Sequence, residues 1–91
     1  MQRPILRRVE YHVSALPIER LFVAEDAIVT RAYGVMVRNG IRTIGDLMQR
    51  RAEVPKMKGV GFGTWNVIIG CMMDFDARHG TKLRDSFTDN P

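Results

Sequence analysis

The apolar positions of this chain follow two periods. Over residues 5–13, Ile5, Arg7, Val9, Tyr11 and Val13 alternate with Leu6, Arg8, Glu10 and His12. A period of two predicts an extended segment. The sequence offers no second strand to pair with it. An extended N-terminal arm over residues 1–16 is therefore expected to lie along a helical body or to pair with another copy. From Pro17 onward the spacing becomes helical. Leu16-Pro17-Ile18-Glu19-Arg20-Leu21 fits one turn, with Ser14 as a possible cap and proline tolerated at the start.

The first full helix is predicted from about Glu25 to Asn39. Ile28, Val29, Ala32, Val35 and Met36 share one stripe, Glu25 and Asp26 suit the positive end, and Gly40 suits the exit. Arg31 and Arg38 flank that stripe, and Gly34 weakens the helix interior by about 1 kcal/mol relative to Ala, which points to close packing there. Thr43 and Asp46 have the spacing of a capping box for a short helix to about Gln49, with Ile41, Ile44, Leu47 and Met48 on its buried side. Ala52 to about Lys56 allows at most one and a half turns because of Pro55.

The last predicted helix runs from near Gly61 to about Asp76. Phe62, Trp65, Ile68, Ile69, Met72 and Met73 form its wide apolar stripe, with Trp65 in the core. Asp76 falls within that stripe and is expected to end the helix. Val67 and Cys71 lie outside it, on the polar side, as a candidate protein-contact pair. From Gly80 onward the chain is polar and reads as a flexible tail. The expected fold is thus all-α, a compact bundle of four to five short helices over residues 17–79 with an N-terminal arm and a tail.

Composition narrows the function classes. Ninety-one residues with 45% apolar and 26% charged side chains make one soluble domain. Cys71 is the single cysteine, and His12 and His79 stand far apart without metal-ligand spacing. A cytoplasmic setting without cofactor or structural metal is the expectation. No paired carboxylates or Cys/His pair share a predicted face, so an enzyme is not expected. No apolar run reaches spanning length and no secretory signal is apparent. The formal net charge is +4, yet residues 1–30 balance, residues 59–91 carry −1, and residues 31–58 carry +5.

That surplus stands beside the most unusual stretch, Lys56-Met57-Lys58-Gly59-Val60-Gly61-Phe62-Gly63-Thr64-Trp65. Glycines at alternate positions permit positive φ and close approach of a ligand, and a tight turn entering a helix leaves backbone N–H groups free to hold an anion. Met57, Gly59, Val60 and Gly61 match the apolar-x-Gly-apolar-Gly hairpin of a helix-hairpin-helix unit, which holds nucleic-acid phosphates through main-chain N–H groups. Thr64 breaks a G-x-G-x-x-G reading, and no Gly-Lys-Ser/Thr ending supports a Walker A loop. A plain turn between two helices, with the basic residues as a solvated face, is the alternative.

Gly40-Ile41-Arg42-Thr43-Ile44-Gly45-Asp46-Leu47, followed by Gln49-Arg50, resembles the Gly-Ile-x-Thr-Ile-Gly-Asp-Leu-x-x-Arg run of the C-terminal domain of the bacterial RNA polymerase α subunit. Pro17-Ile18-Glu19-x-Leu21 is similar to that family's entry segment, and the likeness extends from about Pro17 to His79. It implies a bundle of short helices with two helix-hairpin-helix-like turns, an arginine entering the A·T-rich minor groove, and phosphate contacts at the start of the last helix. By this likeness Arg31 matches the groove arginine, Gly61 the helix-opening glycine and Thr64 a phosphate-contacting serine. Gly34, Gly63 and Val67 replace an asparagine, a lysine and a glutamate of the family, and the chain is longer between Pro17 and Arg31. Without the subunit's assembly domain the chain reads as a stand-alone relative.

The expected DNA-binding set is Arg31, Arg38, Arg42, Lys58, Gly59, Gly61, Gly63 and Thr64. The alternative function is a protein-interaction module that binds RNA polymerase or a transcription regulator, or that forms a homodimer through the arm and Val67/Cys71.

Overall fold

The computed structural model describes residues 13–88, with side chains described through residue 85. The described residues form an all-α fold of short helices joined by turns, without strands. A 3-10 turn, Ile18–Arg20, precedes α1 (Ala27–Arg38), α2 (Ile44–Gln49), a second 3-10 turn (Val54–Lys56), α3 (Phe62–His79) and α4 (Leu83–Thr88). Among the described residues no helix is long and apolar enough to cross a membrane.

Helix α1 ends as its sequence directs. Gly40 takes φ 84, the Gly40 N–H donates to the Val37 carbonyl at 3.0 Å, and the Ile41 N–H donates to the Met36 carbonyl at 3.0 Å. This pair of bonds is a Schellman motif, which needs a left-handed residue and brings the following apolar side chain onto the helix. Met36 and Ile41 are accordingly both fully buried. Three residues on, the Thr43 hydroxyl accepts from the Asp46 N–H at 3.0 Å while Asp46 Oδ2 accepts from the N–H groups of Thr43 and Arg42, at 3.1 and 2.9 Å. The expected capping box is therefore complete. These bonds, the Arg42 N–H first, hold the Asp46 carboxyl below its ordinary pKa.

The entry segment lies against this corner. The Ile18 N–H donates to the Arg42 carbonyl at 2.8 Å and the Ile44 N–H to the Leu16 carbonyl at 2.9 Å, a short antiparallel bridge centred on Pro17 and Thr43. Residues 1–12 of the expected arm lie outside the described residues. Residues 13–15 are helical rather than extended. Val13 and Leu16, three apart, both pack against the core, a helical spacing that the alternation before them concealed. Gly45 admits this turn: a Cβ there would stand 2.8 Å from the Ser14 carbonyl oxygen.

The core joins Ile18 and Leu21 to Val29, Ala32, Val35 and Met36 of α1, Ile44 and Leu47 of α2, and Ile68, Met72 and Phe75 of α3. Ile28 does not belong to it and is 62% exposed. It shares the flank of Val35 but lies two turns ahead of the hairpin that covers Val35.

Two features of α3 differ from expectation. The helix passes Asp76 and ends at His79, with Gly80 at φ 68. Its buried side is also rotated: Val67, Cys71 and Phe75 turn inward, whereas Phe62 is 81% and Met73 50% exposed. Asp76 does not stop the helix because its carboxylate has another task. It accepts from the Thr81 hydroxyl and from the N–H groups of Leu83 and Arg84, at 2.8 and 3.0 Å for the latter two. Those are the first N–H groups of α4, so the expected tail from Gly80 is instead, through Thr88, a docked helix with Leu83 buried. Asp76→Ala should cost about 2 kcal/mol, since it removes a charged acceptor from three donors. Amide exchange should show α4 losing protection while α1 retains it; unchanged protection in α4 would show that packing alone holds it.

Candidate nucleic-acid interface

The Gly-rich stretch folds into a β-turn and then a helix start. The Val60 N–H donates to the Met57 carbonyl at 3.0 Å, and Gly59, at the third position of the turn, has φ 92. Positive φ at that position marks a type II turn, which glycine adopts without steric cost. Met57 is buried and Val60 half-buried, so the two apolar positions of the motif anchor the turn while Lys58, Gly59, Gly61 and Gly63 remain exposed.

Gly61 is the N-cap of α3, with extended backbone at φ −93 and ψ −173 and no side-chain cap. The N–H groups of Phe62, Gly63 and Thr64 follow it in the first turn, where a helix supplies no carbonyl partners. Nothing stands within 4 Å of the Cβ positions of Gly61 or Gly63. The positive φ that the sequence allowed at Gly61 therefore belongs to Gly59. Thr64 is half-buried in the first turn.

Helix α1 presents its basic flank to this turn. At about 100° per residue, Arg31, Val35 and Arg38 fall within about 60° of one another on α1. A Cβ at Gly59 would lie 3.3 Å from both Val35 methyl carbons, so the glycine rests directly on the apolar member of that flank. Asn39 secures the same join: its Nδ2 donates to the Val35 carbonyl at 2.8 Å and to the Lys58 carbonyl at 3.2 Å. The close packing expected at Gly34 comes from its own helix, because Arg38 Nη1 lies 3.3 Å from where a Cβ would stand. Gly34 thus lets the Arg38 guanidinium fold back over the preceding turn of α1.

Val35 and Asn39 thus join the helix that carries Arg31 and Arg38 to the turn of Lys58 and Gly59, from which the chain runs through Gly61 into Gly63 and Thr64 of α3. Arg42 is held differently, its carbonyl and N–H engaged by Ile18 and Asp46 in the entry bridge. Arg50 pairs with Glu53 at 3.1 Å and donates to the Asn39 carbonyl at 2.7 Å, a structural role. Arg31, Arg38, Lys56 and Lys58 are exposed, and among the described residues none has a carboxylate within ion-pair distance.

The candidate protein-contact pair is only partly exposed. Val67 and Cys71 are half-buried against the core, and burial, with Asp74 nearby, raises the Cys71 pKa. Phe62 is the exposed aromatic that the sequence stripe concealed; its place in the first turn of α3, between two glycines, is the signal that sets it apart. Among the described residues no group of three or more His, Cys, Asp or Glu side chains is placed to hold a metal ion. Comparison with protein-family models, curated proteins and solved structures finds no match in any of the three.

Proposed function

We propose that this chain is a small DNA-binding module of transcription that docks on the A·T-rich minor groove. Arg31 enters the groove, Gly61, Gly63 and Thr64 hold a phosphate at the start of α3, and Arg38, Lys58 and, from farther away, Arg42 supply attraction. The observation that carries the reading is the contact of Gly59 with Val35, which joins the basic flank of α1 to an exposed, uncapped helix start. Cations and free N–H groups on one surface suit a polyanion with a repeating phosphate. The likeness of Gly40–Leu47 to the polymerase α C-terminal domain supports the same reading, and a bacterial cytoplasmic setting goes with it.

The test is a titration of the protein with a short A·T-rich duplex over a range of salt. Neutralising about four to six phosphates should give log K against log[salt] a slope of roughly −4 to −5. Arg31→Ala should weaken binding by about 1–3 kcal/mol with an unchanged thermal midpoint, because Arg31 is exposed. Arg38→Ala should cost less. No duplex binding at low salt would remove the proposal in favour of a protein-interaction module.

A further inference from the structure

The rotation of α3 leaves a large apolar side chain in water beside the proposed phosphate site. Phe62 is 81% exposed, the highest value among the large apolar side chains of the described residues. It is the first residue of α3, and the Cβ positions of the glycines on either side of it, Gly61 and Gly63, have nothing within 4 Å. It is three positions after Gly59, so its Cα lies within about 11 Å of the turn seated on Val35. Phe62 thus follows Lys58 by four positions, at the join between the turn seated on Val35 and the start of α3.

We propose that Phe62 is a wedge that enters the base stack of duplex DNA next to the phosphate held at the start of α3. The inference rests on the minor-groove reading and adds to it the kind of site preferred: a step that unstacks readily, such as a pyrimidine–purine step or an unpaired base. Two features favour DNA over an apolar protein surface as the occupant. A hydrophobic partner covering Phe62 would leave the cations and first-turn N–H groups beside it unmatched. Duplex DNA supplies an aromatic face and a phosphate within one nucleotide, and both halves of the surface are then used together. Arg31 in the groove and Phe62 in the stack would also act on opposite ends of the Val35–Gly59 contact, which fixes their separation.

The wild-type protein and the variants Phe62→Ala and Phe62→Trp are titrated with two duplexes of equal length and salt, one fully paired and one with a single-nucleotide bulge. The wild type should favour the bulged duplex by about tenfold. Phe62→Ala should lose that preference yet keep the salt slope, since no charge is removed, and its thermal midpoint should not move. Phe62→Trp should retain the preference. Salt-dependent binding with equal affinity for the two duplexes, or a preference that survives in Phe62→Ala, would overturn the wedge and leave the phosphate reading standing. Absence of salt-dependent binding to either duplex would overturn both. A protein dimer that Phe62→Ala dissociates, in the absence of duplex binding, would also overturn the wedge and assign this face to a second copy.

Discussion

Phe75→Ala should destabilise the protein by about 3–5 kcal/mol, while Phe62→Ala should change stability by less than about 0.5 kcal/mol. The two phenylalanines lie on the same helix and look alike in composition. Phe75 is 1% exposed, packs in the core and stacks on His79 with ring centroids 4.3 Å apart. Removing its ring opens a cavity in a close-packed interior and forfeits the transfer free energy of a buried aromatic. Phe62 has little to lose, being almost fully hydrated already. Denaturant unfolding of both variants measures the contrast. Similar losses for the two would mean that α3 is rotated from the orientation described.

Gly59→Ala should cost about 2–3 kcal/mol, and Gly61→Ala less than about 1 kcal/mol. Two penalties add at Gly59. Its φ of 92 is unfavourable for an L-residue, and a Cβ would press on both Val35 methyl carbons at 3.3 Å. Val35 is 4% exposed and cannot swing away. Gly61 has extended backbone and open space around its Cβ position, so the only loss is a modest one in N-capping. Thermal unfolding separates the two variants. Because Gly61→Ala keeps the fold, any drop in its duplex affinity reports the phosphate contact rather than a structural collapse. Equal destabilisation by the two substitutions would place the strained turn at Gly61 instead.

The two predictions depend on different levels of organisation, which also separates what was legible in the chain. Local chemistry was legible where the deciding atoms lie within a few residues of one another. Thr43 and Asp46 cap α2 through bonds across three residues, and α1 ends with the N–H groups of Gly40 and Ile41 on carbonyls three and five residues back, respectively. Those geometries follow from residue type and spacing alone. The basic surplus of residues 31–58 and the Gly-rich turn were equally readable. Their union on one surface was not, because it depends on Val35 and Asn39 meeting Gly59 and Lys58 across the fold.

Helix α3 shows where sequence stops deciding. Its apolar residues cover much of its circumference, so two overlapping stripes exist, and Ile68 and Met72 belong to both. One stripe adds Phe62 and Met73; the other adds Val67, Cys71 and Phe75. At about 100° per residue these additions fall on opposite sides of the helix. Periodicity cannot choose between them, since either side satisfies a helical repeat. Tertiary packing chose: α1 and α4 lie against α3, and Asp76 holds the start of α4 so that Leu83 enters the core. The sequence by itself determined α1, α2 and the start of α3, the capping box of α2, the glycine end of α1 and the location of the positive charge, all set by short-range bonding and residue type, but neither α4 nor the helical residues 13–15. Only the tertiary structure decided which face of α3 meets solvent, because burial depends on what the rest of the chain places against it.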